Sequence, residues 1–537
     1  MKKLIIIGLD GATYKLIDPL IQQKKLRNIA RIKDKGFYGT LESTIPPITA
    51  PAWLSMATGK NPGKTGVYDF LIKRSKGFSS ISAISSYDFR ANNPFWDLLS
   101  KNGFRMGLFN FPMLYPPYDV NGYLVSGFGS PQNKRISYPL NLIDELDKVT
   151  GGYKVQILLD SPRYTNRDEL FLRDILNVFN KRKKAFLYLL ENKNVDLNFS
   201  VFSAPDWAQH YFWKYIDPDS PFYRPEESSV KKKYLELIWK KIDDFLGEVI
   251  ERYSDIANVM IVSDHGFGPV RKVFYVNSWL EKEGYLERKP GKASNSKIKD
   301  DILSLLKKLL ERYFDAQSLP FINIAKRISR KSSQVYYQIA LEKTTVFCPK
   351  HSKVIGLIYI LEDKEEYKVI KEDIKRKLLD LSNYYDIDKV DIYDPVEIYE
   401  GDKIPDLPDL LFTLDDFECD VSHEFSESVL ENIPSSVQYS GTHKRDGIIM
   451  GVGPDIKKGK IGKVKIFDIA PSILYYFNSP IPKDVDGRVL KKIFKDEFHK
   501  NRKIKFTEPP ESGKETELKE RDDLGEVEEK LKSLGYL

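Results

Sequence analysis

The segment KLIIIGL, residues 3–9, runs straight into Asp10-Gly11. A short apolar run with consecutive isoleucines and no polar alternation predicts a strand covered on both faces, and the Asp-Gly pair predicts the turn that ends it. Two similar runs follow, Leu197–Ser203 (LNFSVFS) and Asn258–Ser263 (NVMIVS). Between them, Val230–Tyr253 carries apolar side chains at 234, 235, 238, 242, 245, 246 and 249, steps of three and four that predict an amphipathic helix. Strand, helix, strand with both strands apolar is the unit of a parallel sheet. Residues 1–270 are therefore read as α/β, a mostly parallel sheet sandwiched by helices.

After Gly268-Pro269 the pattern changes. Ser278–Leu286 and Asp300–Phe314 read as helices joined by a polar, basic, turn-rich stretch, so 271–345 is expected to be a basic, mainly helical inserted cap. In 346–439, strand-like Val354–Leu361, helical Glu365–Leu381 and a loop-rich acidic run at Asp406–Asp420 predict a smaller α/β lobe. Gly447–Val452 (GIIMGV) and a helix at Phe467–Tyr476 return to the core, which is expected to comprise 1–270 and 440–500, with 501–537 a charged arm.

With 537 residues, 41% hydrophobic and 30% charged, the chain is too apolar for disorder to dominate. No apolar run reaches the roughly 20 residues that span a bilayer. Lys2-Lys3 followed only by Leu4–Leu9 is too short for a secretion signal, so the cytoplasm is the expected compartment. Two cysteines, Cys348 and Cys419, exclude a disulfide framework and leave histidine and carboxylate as the means of holding a metal. The net charge of +7 arises locally, from 13 basic against 7 acidic residues in 281–335, and the tail 508–537 opposes it with 5 against 10. That is a patch rather than a nucleic-acid surface, and no nucleic-acid partner is expected.

In α/β sheets, functional groups sit just past the carboxyl ends of strands. There the sequence places Asp10, Asp206, Asp264 and His265. Asp206 and His210 in PDWAQH have the spacing that puts a carboxylate and an imidazole on one helix face. Asp264 and His265 can reach one ion only if the strand ends before them. His443, in SGTHKRDG, is a third strand-end histidine among only six in the chain. Three imidazoles and three carboxylates without thiolate suit a two-metal hydrolase using zinc or manganese.

The candidate nucleophile lies in TIPPITAPAWLSMAT, residues 44–58. Prolines 46, 47 and 51 predict that Thr49 sits on a fixed turn entering a helix over Ala52–Thr58, at the helix pole that attracts phosphoryl groups. Coordination to a metal would activate its hydroxyl. Plainer readings stand beside these. Thr49, Asp10 and Asp206 can be helix N-caps, and Trp207, Phe212 and Trp213 core packing. His351, His423 and His499 read as packing or surface residues, and Lys444 and Arg445 as solvated charge.

Taken together, GLDG at 8–11, TAPAW at 49–53 with ATGKNPGKTG after it, PDWAQH at 205–210, SDHGFG at 263–268 and GTH at 441–443 resemble the alkaline phosphatase superfamily. Within it they look like the type I phosphodiesterase and nucleotide pyrophosphatase branch, including its predicted phosphohydrolase and phosphomutase members. The resemblance implies that fold and two divalent ions, zinc foremost. Asp10, Thr49, Asp264 and His265 would hold one, and Asp206, His210 and His443 the other, with Thr49 as nucleophile through a phosphothreonine. In nucleotide pyrophosphatases the threonine precedes Phe-Pro-Asn-His, whose Asn helps bind a phosphate oxygen; here Ala52 stands at that place, so the substrate need not be a nucleotide. A sulfatase needs Arg where Trp53 stands, and haloacid dehalogenase chemistry needs Asp where Gly8 stands. The implied activity is cleavage of a phosphodiester or pyrophosphate bond in a small phosphate ester or nucleotide. The alternatives are a phosphomonoesterase or phosphomutase, and a non-catalytic scaffold. Arg288, Lys289 and Lys292 on the basic insertion are candidates to reach over the site.

Overall fold

The computed structural model describes residues 2–73, 81–131, 135–159, 161–289, 339–361, 364–433, 439–500 and 502–510. A nine-stranded sheet runs in the order Gly459–Lys465, Phe37–Glu42, Asp446–Val452, Ala257–Val262, Lys3–Leu9, Leu197–Phe202, Met106–Phe111, Gly122–Ser126, Ser137–Tyr138. The strands from Ala257–Val262 through Gly122–Ser126 are mutually parallel, whereas Asp446–Val452 is antiparallel to both its neighbours. Lys3–Leu9 is central, with Leu4 through Leu9 all buried, as its unbroken apolar run requires. Its two neighbours are the other apolar runs.

Helices cover both faces, and the strand side chains declare it. Phe199 packs edge-on to Trp53 and Phe111, whereas Phe202, an odd number of residues on, meets Phe179, Phe186 and Phe245. The first face carries the Thr49–Thr58 helix, and the second carries Asp168–Asn192 and Pro225–Tyr253. The last begins at Pro225 rather than Val230, because proline is favoured in the first turn and Glu226 and Glu227 complement the helix pole. Gly8 is needed where it is: a Cβ there would lie 2.5 Å from the Trp53 ring.

A second sheet of seven strands joins Val346–Phe347, Gly356–Ile360, Leu410–Leu414, Cys419–Ser422, Lys272–Tyr275 and Leu430–Asn432, with Val390–Tyr393 also paired to Leu410–Leu414. It therefore takes a strand, and the adjoining helix Val276–Lys282, from the stretch expected to be a cap. The expected helix Asp300–Phe314 lies outside the described residues, as does most of the arm. The two sheets are linked by a short antiparallel ribbon, Gly266–Pro269 against Gly441–Lys444. No helix of the described residues is long and apolar enough to cross a membrane, and Cys348 and Cys419 are both free and buried.

Candidate active site

The parallel strands end together, and their ends deliver the acids. Lys3–Leu9 leads into Asp10, and Gly11 turns the chain at φ +68°, where a side chain would press on Phe267. Ala257–Val262 stops before Ser263, so Asp264 and His265 leave the strand and both reach the site. Asp206 and His210 stand one turn apart on the Ala204–Phe212 helix. The ribbon brings His443 opposite Phe267, stacking its ring on His265 with centroids 3.7 Å apart.

The cap readings fail for all three residues. Thr49 is the first residue of its helix and Ile48 is the cap; Ser203, not Asp206, precedes the Ala204–Phe212 helix; and the helix after Asp10 is capped by Thr13. The Thr49 helix starts three residues earlier than the prolines suggested, because Pro51 falls within a first turn whose N–H groups have no intrahelical acceptor to lose. Trp207 is core packing, fully buried. Among the remaining expectations, Lys444 is only partly solvated: its ammonium donates to the Asp416 carbonyl at 2.6 Å, and partial burial pulls it down to about 7. Arg445 pairs with Glu42, and Arg288 is held by Glu281. Lys292 lies outside the described residues. His351 and His423 pack against each other in the second lobe, and His499 meets the Tyr475 hydroxyl.

All three site histidines are oriented the same way. Nδ1 of His210, His265 and His443 faces the carbonyl of Gly441, Gly266 and Pro47, at 2.8, 3.0 and 3.1 Å. A carbonyl only accepts, so each Nδ1 carries a proton, and in the neutral ring that a metal would bind each Nε2 presents a lone pair. Those lone pairs converge on other acceptors. Nε2 of His265 lies 3.4 Å from Asp10 Oδ1 and 3.3 Å from Asp264 Oδ2, two oxygens that are buried without a hydrogen-bond donor among the described residues. Nε2 of His443 lies 3.1 Å from Nε2 of His210 and 3.3 Å from Asp206 Oδ1. Thr49 Oγ1 is 3.4 Å from His265 Nε2.

Acceptor facing acceptor in a buried site needs a cation between them, a proton in the metal-free protein or a metal ion when one is bound. The donor set fits them: Asp206, His210 and His443 form one group able to hold a metal, and Asp10, Asp206 and His265 another. Nitrogen and carboxylate oxygen without thiolate suit zinc or manganese. Asp206 thus belongs to both groups.

The electrostatics record the same demand. Burial, then the charges of Asp264 and Asp206, hold the Asp10 carboxyl well above its ordinary range. Burial raises Asp264 to about 8. Burial would raise Asp206 too, but in the metal-free protein the charge and hydrogen bonds of His210, itself raised by Asp206, and of His443 hold it well below its ordinary range. Burial, then the charge of His443, holds His265 well below its usual value, and burial lowers His443. Asp264 of the metal-free protein therefore binds its proton more tightly folded than unfolded. Chelated protein is expected to lose stability as pH rises from about 4, the ordinary carboxylate value, through the folded value of about 8. Adding metal should restore it, which thermal melts with and without chelator across that range will check.

One buried charge within electrostatic reach of Asp10 escaped the sequence reading. Arg182, on the Asp168–Asn192 helix, is fully buried among Val178, Phe179, Ala185, Phe186 and Leu189. The signal was available: an arginine at helical spacing on an otherwise apolar stripe.

Parallel strands ending in a buried cluster of histidines and carboxylates, with a hydroxyl at a helix start beside them, make a site able to hold metal ions next to a hydroxyl, an arrangement suited to a phosphoric ester hydrolase. Residues 4–445 match the type I phosphodiesterase/nucleotide pyrophosphatase family, and the chain belongs to it. No curated protein matches the chain. Among solved structures it is similar to murine ectonucleotide pyrophosphatase/phosphodiesterase 5, an inactive variant in complex with AMP. The likeness covers 90% of this chain and 96% of that one, at 12% identity and a TM-score of 0.47.

Proposed function

We propose that this protein hydrolyses a phosphodiester or pyrophosphate bond of a small phosphate ester or nucleotide, with Thr49 as nucleophile beside two divalent ions, zinc or manganese. Asp10, Thr49, Asp264 and His265 would hold one ion and Asp206, His210 and His443 the other. The observation that carries this reading is the opposition of lone pairs at His265 Nε2, with Asp10, Asp264 and Thr49 around it. When bound, the ions make the Thr49 alkoxide accessible at neutral pH and neutralise charge on the phosphoryl group and the leaving oxygen.

The chain's own residues do the rest. Thr49 Oγ1 attacks phosphorus in line, its bond to phosphorus forming as the bond to the leaving oxygen breaks. Water then attacks the resulting phosphothreonine and frees Thr49. The opening turn of the Thr49 helix offers the phosphoryl oxygens backbone N–H groups, a substitute for the side-chain donor that Ala52 lacks. The Gly11 N–H donates to Asp264 Oδ1 at 3.2 Å, and Gln209 Nε2 donates to the Gly11 carbonyl at 2.8 Å, so the Asp10–Gly11 turn is tied to the Asp206 helix and the acids cannot drift apart.

The test is hydrolysis of bis(para-nitrophenyl) phosphate and para-nitrophenyl phosphate by metal-loaded protein, with bound metal quantified. About two ions per chain, and diester turnover that chelation abolishes and metal restores, are expected. Turnover that survives chelation would refute the metal assignment. A preference for the monoester would move the substrate to the phosphomonoesterase class.

A further inference from the structure

Arg182 is a buried charge with no ion-pair partner in contact among the described residues. It is 1% exposed, its Nε and Nη2 have no hydrogen-bond acceptor among the described residues, and its guanidinium lies over the Trp207 ring at 5.1 Å. Leaving a guanidinium unpaired in the interior is costly, and an apolar side chain of similar volume would ordinarily be at least as stable there. Burial pulls it down only to about 10, so it is a cation at neutral pH.

Its surroundings lead to the site. Trp207 follows Asp206, and the Asp206 backbone is packed against Gly11, where a Cβ would lie 3.4 Å from the Asp206 Cα, placing Asp10 next along the chain. Tyr153 also lies within electrostatic reach of Arg182, and its hydroxyl donates to Asn110, whose Nδ2 is buried without an acceptor among the described residues. The donors around Arg182 are therefore held in place by packing, and among the site's acids the charge of Asp10 reaches it.

Charge counting indicates what such a cation is for. Two divalent ions against Asp10, Asp206 and Asp264 leave one positive charge, and Arg182 adds a second. The Thr49 alkoxide and a singly charged phosphodiester together cancel both.

We propose that Arg182 is a positioning residue that touches no substrate: its fixed charge, set beneath Trp207 and behind Asp10, attracts the anionic phosphoryl group and supports the ionised Thr49. This rests on the functional reading above. It accounts for an arginine on the apolar stripe of a core helix, which stability alone does not.

A charge acting at a distance leaves a signature that damage to the fold does not, because the loss grows with the charge of the ligand. The experiment uses metal-loaded Thr49→Ala protein, which binds without turnover, titrated calorimetrically with bis(para-nitrophenyl) phosphate, a monoanion, and para-nitrophenyl phosphate, a dianion. Arg182→Met in that background is expected to weaken the diester by about tenfold, the effect of one charge at about 10 Å in a medium of dielectric about 20. It should weaken the monoester by about a hundredfold on the same basis. Arg182→Lys should keep most of both affinities, metal content should stay unchanged, and the melting temperature should not fall. Arg182→Gln gives the same comparison if the methionine variant does not accumulate. Equal losses for the two ligands, or none, would overturn the proposal. Failure of the parent protein to bind either ligand would instead overturn the functional reading.

Discussion

Thr49→Ala is expected to lose turnover of a phosphodiester by about ten-thousandfold or more while keeping its fold and most of its bound metal. The hydroxyl is the only part of the side chain with chemistry to perform, and it stands 3.4 Å from His265 Nε2 at the start of a helix whose every residue is buried. Alanine is a better helix former than threonine, so the Thr49–Thr58 helix should not suffer. The remaining ligands on that side, Asp10, Asp264 and His265, are carried by other elements and do not depend on Thr49 for position. Steady-state kinetics with melting curves and metal analysis on the same preparation separate this outcome from unfolding. A Thr49→Ser variant, which keeps a hydroxyl, should recover a measurable part of the rate.

The second large effect is expected at Asp206. It sits in both candidate metal groups, with Oδ1 3.4 Å from His210 Nε2 and 3.3 Å from His443 Nε2. Asp206→Ala should weaken metal binding by at least about a hundredfold and cut turnover by about a thousandfold. The carboxylate also restrains the repulsion between the two imidazoles, whose Nε2 atoms are 3.1 Å apart. Removing it leaves His210 and His443 facing each other with no anion between them. Substitution of His351 or His423, which share the second lobe and not the site, is the matched control and should leave metal content unchanged. Loss of one ion per chain in Asp206→Ala, with the other retained, would agree with the proposed division of ligands, whereas loss of both would show that Asp206 serves both groups.

Much of this architecture was legible because buried parallel strands have a plain signature. KLIIIGL, LNFSVFS and NVMIVS became adjacent strands with ends within a residue of expectation. The acids after them lay where the fold rule puts function. What the pattern missed follows from long-range packing. The Thr49 helix begins before Pro51, since proline at the third helical position removes no bond the first turn could make. Lys272–Tyr275 joins the second sheet through strands far away in sequence, and a four-residue segment carries too little periodicity to announce that. Lys444 looked solvated from its charge alone, yet the adjoining ribbon and the Asp415–Phe417 turn partly cover it. Arg182 lies in a helix that also carries Lys181, Arg173, Lys183 and Lys184, and among those charges nothing but its place on the apolar stripe marks it as the buried one.

The central claim, that Thr49 carries the phosphoryl group, is tested most directly by acid-quenching the metal-loaded protein during turnover of bis(para-nitrophenyl) phosphate and mapping its peptides by mass spectrometry. The account predicts an added nitrophenyl phosphoryl group on the peptide containing Thr49 and none on the same peptide from Thr49→Ala. Undiminished diester turnover by Thr49→Ala, with no adduct on that peptide in the parent protein, would contradict it.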